Sequence, residues 1–572
     1  MKLVAKSLVQ GTATGKALYS NVPLSFWGGV DPETGEVIDR HHPLSGEFIH
    51  DRILLLPGTR GSCSGSLVLI ELLVNGKAPA AIIFRDAEEI ATTGVMVAKT
   101  LLEISIPVLR VAADDYKRLT GRQYASIIND ELQLADSPLP FDHALSPPNS
   151  STNTIHLSEE ELAILHGAHS PAAAKAMQIL LQYAHLQDAP SLTPVSSAHI
   201  DACIYTGPAS LLIAKTFLTN GARVAVPTTL NSISIDQMRW RELSIDSALA
   251  SEANKLANAY VAMGATNSFT CAPYLLSTKP GIGESIGWAE SNAVVFANSV
   301  LGARTQKYPD LIDVCIALTG RAPLAGAQTE DGRVPRIAVT VDLYRERVEE
   351  LEDALWPVLG YAAGKVSGGL IPLILGLEGV QPRPTISDLK AFGAAFATTA
   401  SAAMFHIAGV TPEAHLHLRS ATVLKQVTLS DEDCLSALKE LTTATDETVG
   451  LVSLGNPHFS LEEFVALSGL CAGRRKSNTV QMIITTNREI YAQACAAGYT
   501  SAIEAFGAEI LTDTCWCMIP ESIIGPSVKN LFTNSAKYAH YAPGIVHRGV
   551  HFGSLRESVL AAERGVIRFD GR

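Results

Sequence analysis

The chain has 572 residues, of which 47% are hydrophobic and 18% are charged, a balance that excludes an intrinsically disordered protein and predicts roughly two to four packed domains. Its 57 acidic and 44 basic side chains give a net charge of -13, and no Lys/Arg-rich run interrupts this excess, so we expect no nucleic-acid partner. The N-terminal residues lack the long apolar segment of a secretory signal, and the nine cysteines, an odd count, indicate reduced thiols. These observations predict a cytoplasmic protein.

The predicted N-terminal domain, residues 1–135, is a compact sheet-rich α/β unit. Its apolar segments alternate with turns at residues 53–56, 66–73 and 80–84, and are followed by a helical pattern at 97–104 and a strand pattern at 106–111. Residues 136–154 are dense in Pro, Ser and Asn and have no hydrophobic period. They predict a linker to the rest of the chain.

The remaining residues, 155–572, predict a larger α/β region. Residues 158–187 have a helical pattern that begins with a Ser-Glu-Glu-Glu run typical of a helix start. Gly-bounded apolar segments then alternate with Ala-rich helical segments, and they predict strands at 223–227, 293–301, 336–341, 370–375 and 482–485. Such alternation favours mostly parallel sheets, in which loops at the strand ends usually form the functional site.

The most membrane-like stretch is residues 391–410. It is rich in Ala, Gly and Thr and contains His406, whereas a membrane-spanning helix needs about 20 strongly apolar residues. We therefore interpret this stretch as a buried helix and expect no membrane association.

Two polar clusters in the first half of the chain are candidate parts of a site. Residues 57–66, PGTRGSCSGS, form a flexible loop whose backbone N–H groups could bind an anion, although a plain Gly/Ser loop has the same composition. Residues 283–305 place Glu290, Asn292 and Arg304 among apolar neighbours, where buried polar groups must find partners. A purely structural network is the alternative interpretation of this second cluster.

Three further clusters lie near the C-terminus. His458 follows a proline in a loop after the apolar segment LVSL, and a lone loop histidine is more often structural than catalytic. Cys515 and Cys517 form a C-x-C pair, which is not a redox motif. In an extended strand both thiols would lie on the same face, where they could bind one metal or pack in the core. Lys537, among small polar residues, suits a carboxylate-binding pocket or the end of a surface helix.

Taken in chain order, these motifs resemble the aconitase X family over nearly the whole sequence. SNVPLSFWGGVDPETGEVID and PGTRGSCSGS are similar to the small, swivelling subunit of that family; ESNAVVFANSVLGART, MFHIAGVTPEA, SLGNPHFS, TDTCWC and TNSAKYAHYAPG are similar to its large catalytic subunit. The resemblance implies a small swivelling β/α domain fused to a larger multi-lobed, aconitase-like α/β catalytic region. No obligatory partner subunit is then expected, because both halves lie on one chain.

The resemblance also implies an activity. The fused branch of the family dehydrates cis-3-hydroxy-L-proline to Δ1-pyrroline-2-carboxylate, and the split branch dehydrates mevalonate 5-phosphate. We therefore expect a hydro-lyase whose substrate is a small hydroxy acid. A phosphorylated hydroxy acid, or a non-catalytic role in sensing iron or redox state, is the alternative.

The resemblance further assigns roles to individual residues. The family's proton acceptor, a serine in a Gly-x-Gly-Ser pattern, corresponds to Ser62, although this chain has Thr59 where the first glycine is expected. Its iron ligands correspond to Cys271 and Cys515, and a third cysteine of some relatives corresponds to Asn456. The missing cysteine predicts a smaller centre, 2Fe-2S or a single iron, completed by a group such as Asn456.

The expected mechanism combines these residues. Ser62 takes the α-proton while the iron on Cys271 and Cys515 polarises the leaving hydroxyl. Backbone N–H groups near Gly61, together with Arg60, are expected to stabilise the serine alkoxide. The expected substrate-binding residues are Gly61, Ser64, Glu290, Ser291, Asn292, Arg304, His458, Ser535 and Lys537.

Overall fold

A computed structural model describes residues 2–39, 42–119, 121–137, 155–343, 350–519 and 521–567. Most of the predicted linker, residues 138–154, lies outside these ranges. The described residues form mixed α/β structure, as the sequence predicted, around five separate sheets.

The N-terminal residues form one sheet in the order β1-β8-β7-β3-β4-β5-β6-β2. Its strands are β1 (Lys2–Val4), β2 (Lys6–Val9), β3 (Thr12–Tyr19), β4 (Arg52–Leu56), β5 (Ala81–Phe84), β6 (Val108–Arg110), β7 (Tyr124–Ile128) and β8 (Glu131–Ala135). Its helices are α1 (Gly65–Val74), α2 (Ile90–Leu102) and α3 (Ala113–Leu119). The central strands β3 to β6 are parallel.

Both faces of this sheet are covered, which explains the unbroken apolar run of β4. Leu54 and Leu56 pack with the apolar residues of α1 and α2, whereas Ile53 and Leu55 pack on the opposite face with Tyr116 of α3. Alternate side chains of a strand point to opposite faces, so a strand between two cores is apolar throughout. The segment 66–73 is the buried helix α1, which lies on one of these faces.

Residues 155–343 add a second layer of short sheets and helices. The helices are α4 (Glu159–Leu165), α5 (Pro171–Leu186), α6 (Pro208–Thr219), α7 (Ser247–Ala262), α8 (Ser291–Phe296) and α9 (Ile312–Thr319). The strands are β9 (Leu192–Pro194), β10 (Ala198–Ile200), β11 (Thr228–Leu230), β12 (Gly287–Trp288), β13 (Arg321–Pro323) and β14 (Ile337–Val341). Strands β10, β11 and β12 form a parallel sheet.

Three sequence predictions in this region need correction. The helix predicted at 158–187 is two helices, α4 and α5, because the chain turns at Gly167 and restarts at Pro171. No strand forms at 223–227; β11 begins only at Thr228. Residues 293–301 are not a strand but lie in α8 and the π-helical turn that continues it, since periodicity alone does not separate a short buried helix from a strand.

A four-stranded parallel sheet follows, in the order β16-β15-β14-β17. Its further strands are β15 (Pro372–Leu375), β16 (His406–Ile407) and β17 (Lys425–Leu429), and its helices are α10 (Leu355–Ser367), α11 (Ile386–Thr399), α12 (Ala414–His417) and α13 (Asp431–Leu441). The stretch at 391–410 is the second half of α11, a loop and β16. Within the described ranges, no helix is both long and apolar enough to cross a membrane.

The last sheet is parallel, in the order β20-β19-β18-β21-β22, and it positions the site. Its strands are β18 (Leu451–Leu454), β19 (Gln481–Thr485), β20 (Glu509–Leu511), β21 (Asn530–Thr533) and β22 (Gly549–Phe552). Its helices are α14 (Leu461–Cys471), α15 (Arg488–Ala496), α16 (Tyr499–Phe506), α17 (Ala536–Ile545) and α18 (Leu555–Arg564). Asn456, Cys515 and Ser535 follow the carboxyl ends of three of these strands, the edge at which such sheets bind ligands.

The close packing of α10 on α11 gives a prediction about stability. A Cβ atom at Gly360 would lie 2.2 Å from the carbonyl oxygen of Phe392, so Gly360→Ala must push the two helices apart. We expect this substitution to lower the free energy of unfolding by about 1–3 kcal/mol, measured by urea denaturation.

Gly469 in α14 is the matched control. It is exposed, and a Cβ atom there would meet no other side chain or neighbouring segment of the described residues within 4 Å, so Gly469→Ala should raise stability by up to about 1 kcal/mol. Equal stability of the two variants would contradict the close approach of α10 and α11.

Candidate active site

Three cysteines meet at the edge of the last sheet. Cys515 lies between Cys271 and Cys517 and interacts with both thiols. Cys271 and Cys515 are buried, and Cys517 is half-buried. Residues 515–517 form a turn after β20 rather than the extended strand considered from the sequence.

The turn is anchored by the residue between the two cysteines. Trp516 is fully buried, donates its indole N–H to the carbonyl oxygen of Leu454 at 2.8 Å and packs against the ring of Tyr538. Just before the turn, Asp513 adopts a positive φ of 66° and accepts two hydrogen bonds from Arg488 at 2.6 and 2.7 Å. These contacts hold the C-x-C segment against the ends of β18 and α17.

Cys271 is fixed by a different part of the chain. The N–H of Thr270 donates to the carbonyl oxygen of Leu230 at 3.0 Å, which ties this segment to the end of β11. The amide of Asn292 donates to the carbonyl oxygen of Cys271 at 3.0 Å, and the backbone N–H of His458 donates to its sulfur at 3.3 Å. The thiol is therefore placed by contacts from α8 and from the loop after β18.

The thiols differ in acidity. The pKa of Cys517 is lowered to about 7, chiefly by the hydrogen bond of Cys517 with Cys515. Burial opposes this shift, whereas the charge of Lys537 and the amide of Asn456 add to it. Burial opposes ionisation of Cys271, but its hydrogen bond with Cys515 and the nearby Lys537 lower its pKa overall. Hydrogen bonds with the other two thiols raise the pKa of Cys515. Adjacent thiols of which two ionise readily are suited to binding a cation.

Asn456 supplies an oxygen beside these thiols. Its Nδ2 donates to the sulfur of Cys517 at 3.1 Å, and its backbone oxygen accepts a hydrogen bond from Ser535. Its Oδ1 is buried and has no hydrogen-bond partner in the described part of the chain. An unsatisfied buried oxygen next to thiols fits a metal ligand, because buried polar atoms in proteins are nearly always paired.

His, Cys, Asp and Glu side chains alone do not complete a metal site. Among the described residues, no three of them are arranged to hold one metal ion. The donors that the structure offers are instead mixed, namely the three thiols and the amide oxygen of Asn456. Sulfur and oxygen donors are of the kind that iron binds, although the three thiols are not gathered around one position for a single ion.

A buried ion pair lies against the thiols. Lys537 Nζ donates to Glu290 Oε1 at 2.7 Å. Burial lowers the pKa of Lys537, but Glu290 and the thiolates of Cys517 and Cys271 outweigh it and raise that pKa well above the ordinary value. Glu290 also caps α8 by accepting the N–H of Ala293 at 2.9 Å. The site thus holds a permanent positive charge beside its sulfur atoms.

The loop of Ser62 comes from the N-terminal domain. Gly61 has a φ of 89°, a conformation that L side chains rarely adopt, and a Cβ there would lie 2.7 Å from Ser25 Oγ. Ser62 Oγ lies 3.3 Å from Ser64 Oγ and accepts the N–H of Ser64, also at 3.3 Å. Arg60, expected to assist Ser62, instead pairs with Asp39 at 2.8 Å.

Lys307 connects the Ser62 loop electrostatically to the ion pair, and sequence reasoning missed it. Burial lowers its pKa to about 8, while the charges of Cys63 and Glu290 raise it and that of Lys537 lowers it. Its Nζ donates to the carbonyl oxygen of Ala400 at 2.8 Å. Lys307 lies two residues beyond the polar cluster of residues 283–305, and this proximity was the available signal.

Two predicted substrate contacts have other partners. The guanidinium of Arg304 pairs with the exposed Glu330 and lies 3.5 Å from the carbonyl oxygen of Gln328. His458 is fully buried, and its ring nitrogens meet the carbonyl oxygen of Thr514 at 2.8 Å and the hydroxyl of Thr270 at 3.2 Å. Burial lowers its pKa to about 4, so the ring is neutral and ties the segments that bear Cys271 and Cys515 together.

The remaining predicted residues fall into two groups. Gly61, Ser62 and Ser64 lie on one loop of the N-terminal domain. Around the thiols, Asn292 accepts the hydroxyl of Tyr274 at 2.7 Å, Ser535 caps α17, and Ser291 begins α8.

Comparison with known proteins gives consistent matches along the whole chain. Four family descriptions match: "Aconitase X swivel domain" at residues 2–134, "Aconitase X first domain" at 154–331, "Aconitase X second domain" at 335–439 and "Aconitase X third domain" at 449–564. Cis-3-hydroxy-L-proline dehydratase of Pseudomonas aeruginosa is 48% identical, covering 98% of this chain and 97% of that protein. The enzyme of the same name from Hypocrea jecorina is 47% identical, covering 97% and 94%.

More distant similarity extends to a split enzyme and to a solved structure. The phosphomevalonate dehydratase large subunit of Methanothermobacter thermautotrophicus is 32% identical over 68% of this chain and 94% of that subunit. The crystal structure of Thermococcus kodakaraensis aconitase X in its holo form superposes with a TM-score of 0.63 at 29% identity, covering 71% of this chain and all of that one.

The buried ion pair gives a prediction. The side chains of Glu290 and Lys537 are only 7% and 13% exposed, so Glu290→Gln leaves a buried ammonium without its counter-ion. We expect this variant to lose about 3 kcal/mol of unfolding free energy, measured by urea denaturation.

Lys365→Gln is the control, because it breaks a pair with Glu440 in which both side chains are more than 40% exposed. Its cost should stay below about 1 kcal/mol. A Glu290→Gln variant as stable as this control would show that the pair contributes no more than a surface contact.

Proposed function

Because the chain belongs to the aconitase X family, we propose that it is a hydro-lyase that dehydrates cis-3-hydroxy-L-proline to Δ1-pyrroline-2-carboxylate. The observation that carries this conclusion is the identity of 48% and 47% with two enzymes of that name over nearly their entire lengths. Relatives that are enzymes favour catalysis over iron or redox sensing. Because both relatives match this one chain almost end to end, no partner subunit is required.

We propose that the chain divides into a swivel domain at 1–135, a linker at 136–154 and a catalytic region at 155–572. The ranges of the four family descriptions support this division, since one ends at residue 134 and the next begins at residue 154. The cytoplasmic location stays a prediction.

The stereochemistry of the substrate sets the requirement for the site. In cis-3-hydroxy-L-proline the hydroxyl and the carboxylate lie on one face of the ring, so the α-hydrogen lies on the other. Anti elimination then needs a base on one face and a group that polarises the hydroxyl on the opposite face. The origin of Ser62 and the thiols in separate domains supports this division of roles.

Ser62 is the proposed base. As the α C–H bond breaks, its proton passes to the Ser62 alkoxide, its electrons form the ring double bond, and the C–O bond at carbon 3 breaks with its electrons on the departing hydroxide. The hydroxide takes up a proton and leaves as water, and Ser62 Oγ returns its proton to solvent. Because a serine hydroxyl is a weak acid, its alkoxide needs donors such as the N–H of Ser64, at 3.3 Å from Oγ. The enamine product tautomerises to the imine.

Cys271, Cys515 and Asn456 are the proposed ligands of an iron–sulfur cluster, and the contact of Cys515 with Cys517 adds a third thiol to the set. We propose the 2Fe-2S type, with a single iron as the alternative. When bound, such a centre supplies Lewis acidity toward the substrate hydroxyl. The orphaned Oδ1 of Asn456 supports its place among the ligands.

Lys537 is the proposed partner of the substrate carboxylate, with Lys307 as a second positive charge nearby. Glu290 pairs with Lys537 and accepts a hydrogen bond from the amide of Asn292, and Gly61, Ser64, Ser291 and Ser535 complete the proposed lining. We assign His458 to positioning Cys271, whose sulfur accepts its backbone N–H, and we assign Arg304 to its pairing with Glu330.

We predict that the iron-loaded protein converts cis-3-hydroxy-L-proline and does not convert mevalonate 5-phosphate. Ser62→Ala should lower kcat by at least about 100-fold, because the proton acceptor is lost, while iron content stays at the wild-type level. Product formation and iron analysis measure both quantities.

Ser7→Ala, a substitution on β2 far from the Ser62 loop in sequence, should retain wild-type kcat and serves as the control. Conversion of mevalonate 5-phosphate alone would overturn the substrate assignment. A Ser62→Ala variant with wild-type kcat would remove Ser62 from the base role but leave the overall reaction intact.

The ligand set gives a second prediction. Cys271→Ala and Cys515→Ala should each lose the visible absorbance of the cluster and most of the bound iron, since each removes a thiolate. Cys517→Ala should also lose iron. Full absorbance in Cys517→Ala would restrict the ligands to Cys271, Cys515 and non-thiol groups.

Cys495→Ala is the matched control, because Cys495 is exposed and lies outside the thiol cluster. It should retain full absorbance. If Cys271→Ala and Cys515→Ala behave like this control, the proposed iron site is wrong.

A further inference from the structure

A buried carboxyl group of the catalytic region lies directly against the Ser62 loop. Asp310 is fully buried, its backbone N–H approaches the carbonyl oxygen of Cys63 at 3.5 Å, and its carbonyl oxygen accepts the hydroxyl of Ser66 at 3.3 Å. Neither of its carboxyl oxygens completes a hydrogen bond within the described residues. The backbone contacts place Asp310, and its carboxyl group lies near the hydroxyl of Ser64 without completing a hydrogen bond to it.

The neighbouring Asp313 is an example of an aspartate with a structural role. Its carboxylate accepts N–H groups from Asp201, Ala202, Leu311 and Val314 at distances between 2.6 and 3.3 Å. Such bonds stabilise an ionised carboxylate in the interior. Asp310, one turn of chain away, receives none of them and faces two other carboxyl groups.

These surroundings favour the neutral form of Asp310. Burial, followed by the charges of Asp201 and Asp313, raises its pKa well above the ordinary value, and the hydroxyl of Ser64 opposes this only in part. An isolated ionised carboxylate in a protein interior is very costly, whereas a carboxylic acid can still donate a hydrogen bond.

A line of possible donors runs from Asp201 to the proposed base. Asn231 donates its amide to Asp201, which interacts with Asp310. Asp310 in turn interacts with the hydroxyl of Ser64, whose Oγ accepts a hydrogen bond from Ser62 Oγ at 3.3 Å in this structure. Both hydroxyl groups can rotate, so each member can donate to the next.

We propose that Asp310 is a positioning residue whose carboxyl group donates a hydrogen bond through Ser64 toward Ser62. The donated bonds stabilise negative charge on Ser62 Oγ, which lets a serine act as a base. No proton leaves Asp310 during turnover. The inference rests on the proposed function, in which Ser62 accepts the α-proton.

The opposite arrangement, an ionised Asp310, has different consequences. A second negative charge near Ser62 would oppose formation of the alkoxide, and an aspartate that removed the serine proton would need to be ionised. Asparagine distinguishes the two cases, because its amide donates hydrogen bonds but cannot take up a proton.

The experiment measures kcat, KM and cluster absorbance of iron-loaded variants with cis-3-hydroxy-L-proline. Asp310→Asn should keep kcat within about tenfold of wild type, because the amide still donates to Ser64. Asp310→Ala should lower kcat about 10- to 100-fold and leave KM and cluster absorbance unchanged. This loss is smaller than the loss expected when a group that donates directly to an oxyanion is removed. Ser64→Ala should cause a similar loss, and the double variant Ser64→Ala/Asp310→Ala should be no slower than Ser64→Ala.

Asp313→Asn is the control for a purely structural effect. It should lower the melting temperature, since four N–H groups lose an ionised acceptor, without a comparable loss of kcat.

Wild-type kcat in Asp310→Ala, or equal losses in Asp310→Asn and Asp310→Ala, would overturn the neutral-donor role. If the wild-type protein does not convert this substrate, the proposed function fails and this inference fails with it. If Ser62→Ala is inactive while Asp310→Ala keeps wild-type kcat, only this inference fails.

Discussion

The ion pair of Lys537 with Glu290 joins the two halves of the thiol site. Glu290 caps α8, and the amide of Asn292 on that helix fixes the backbone of Cys271. Lys537 lies in the first turn of α17, whose cap, Ser535, holds the backbone of Asn456. One contact of 2.7 Å therefore sets the separation of two segments that carry proposed iron ligands. Because both side chains are buried, their charges also act on the thiols: Lys537 lowers the pKa of Cys271 and of Cys517, whereas Glu290 raises it.

Much of the architecture followed from hydrophobic pattern. The strands at 336–341, 370–375 and 482–485 form close to their predicted bounds, because continuous apolar runs are typical of parallel sheets with both faces covered. The same argument failed at 293–301, where an apolar run of the same kind is helical. Its deciding feature is the cap at Glu290, a polar residue whose local role is invisible to an argument based on apolar period.

The site was predictable to the extent that it lies in loops after strands. Cys271, Cys515 and Asn456 were chosen from family resemblance, and the fold brings them to one place although they are far apart in sequence. Lys307 and Asp310 were missed, since charged residues in the loop between residues 302 and 311 give no periodic signal and their neighbours are decided only by tertiary packing. Arg304 and His458 were favoured for their chemistry, but their charges and ring nitrogens are taken up by Glu330 and by two threonines.

The Ser62 loop and the thiols belong to different domains, yet they are parts of one covalent chain. In a relative built from two subunits, the corresponding groups come together only when the subunits associate, and dilution separates them. Here the encounter is intramolecular, with an effective concentration that for short linkers is on the order of millimolar whatever the amount of protein present. Fusion therefore makes the encounter of the proposed base with the proposed metal centre independent of expression level, and it fixes the stoichiometry of the two domains at one to one.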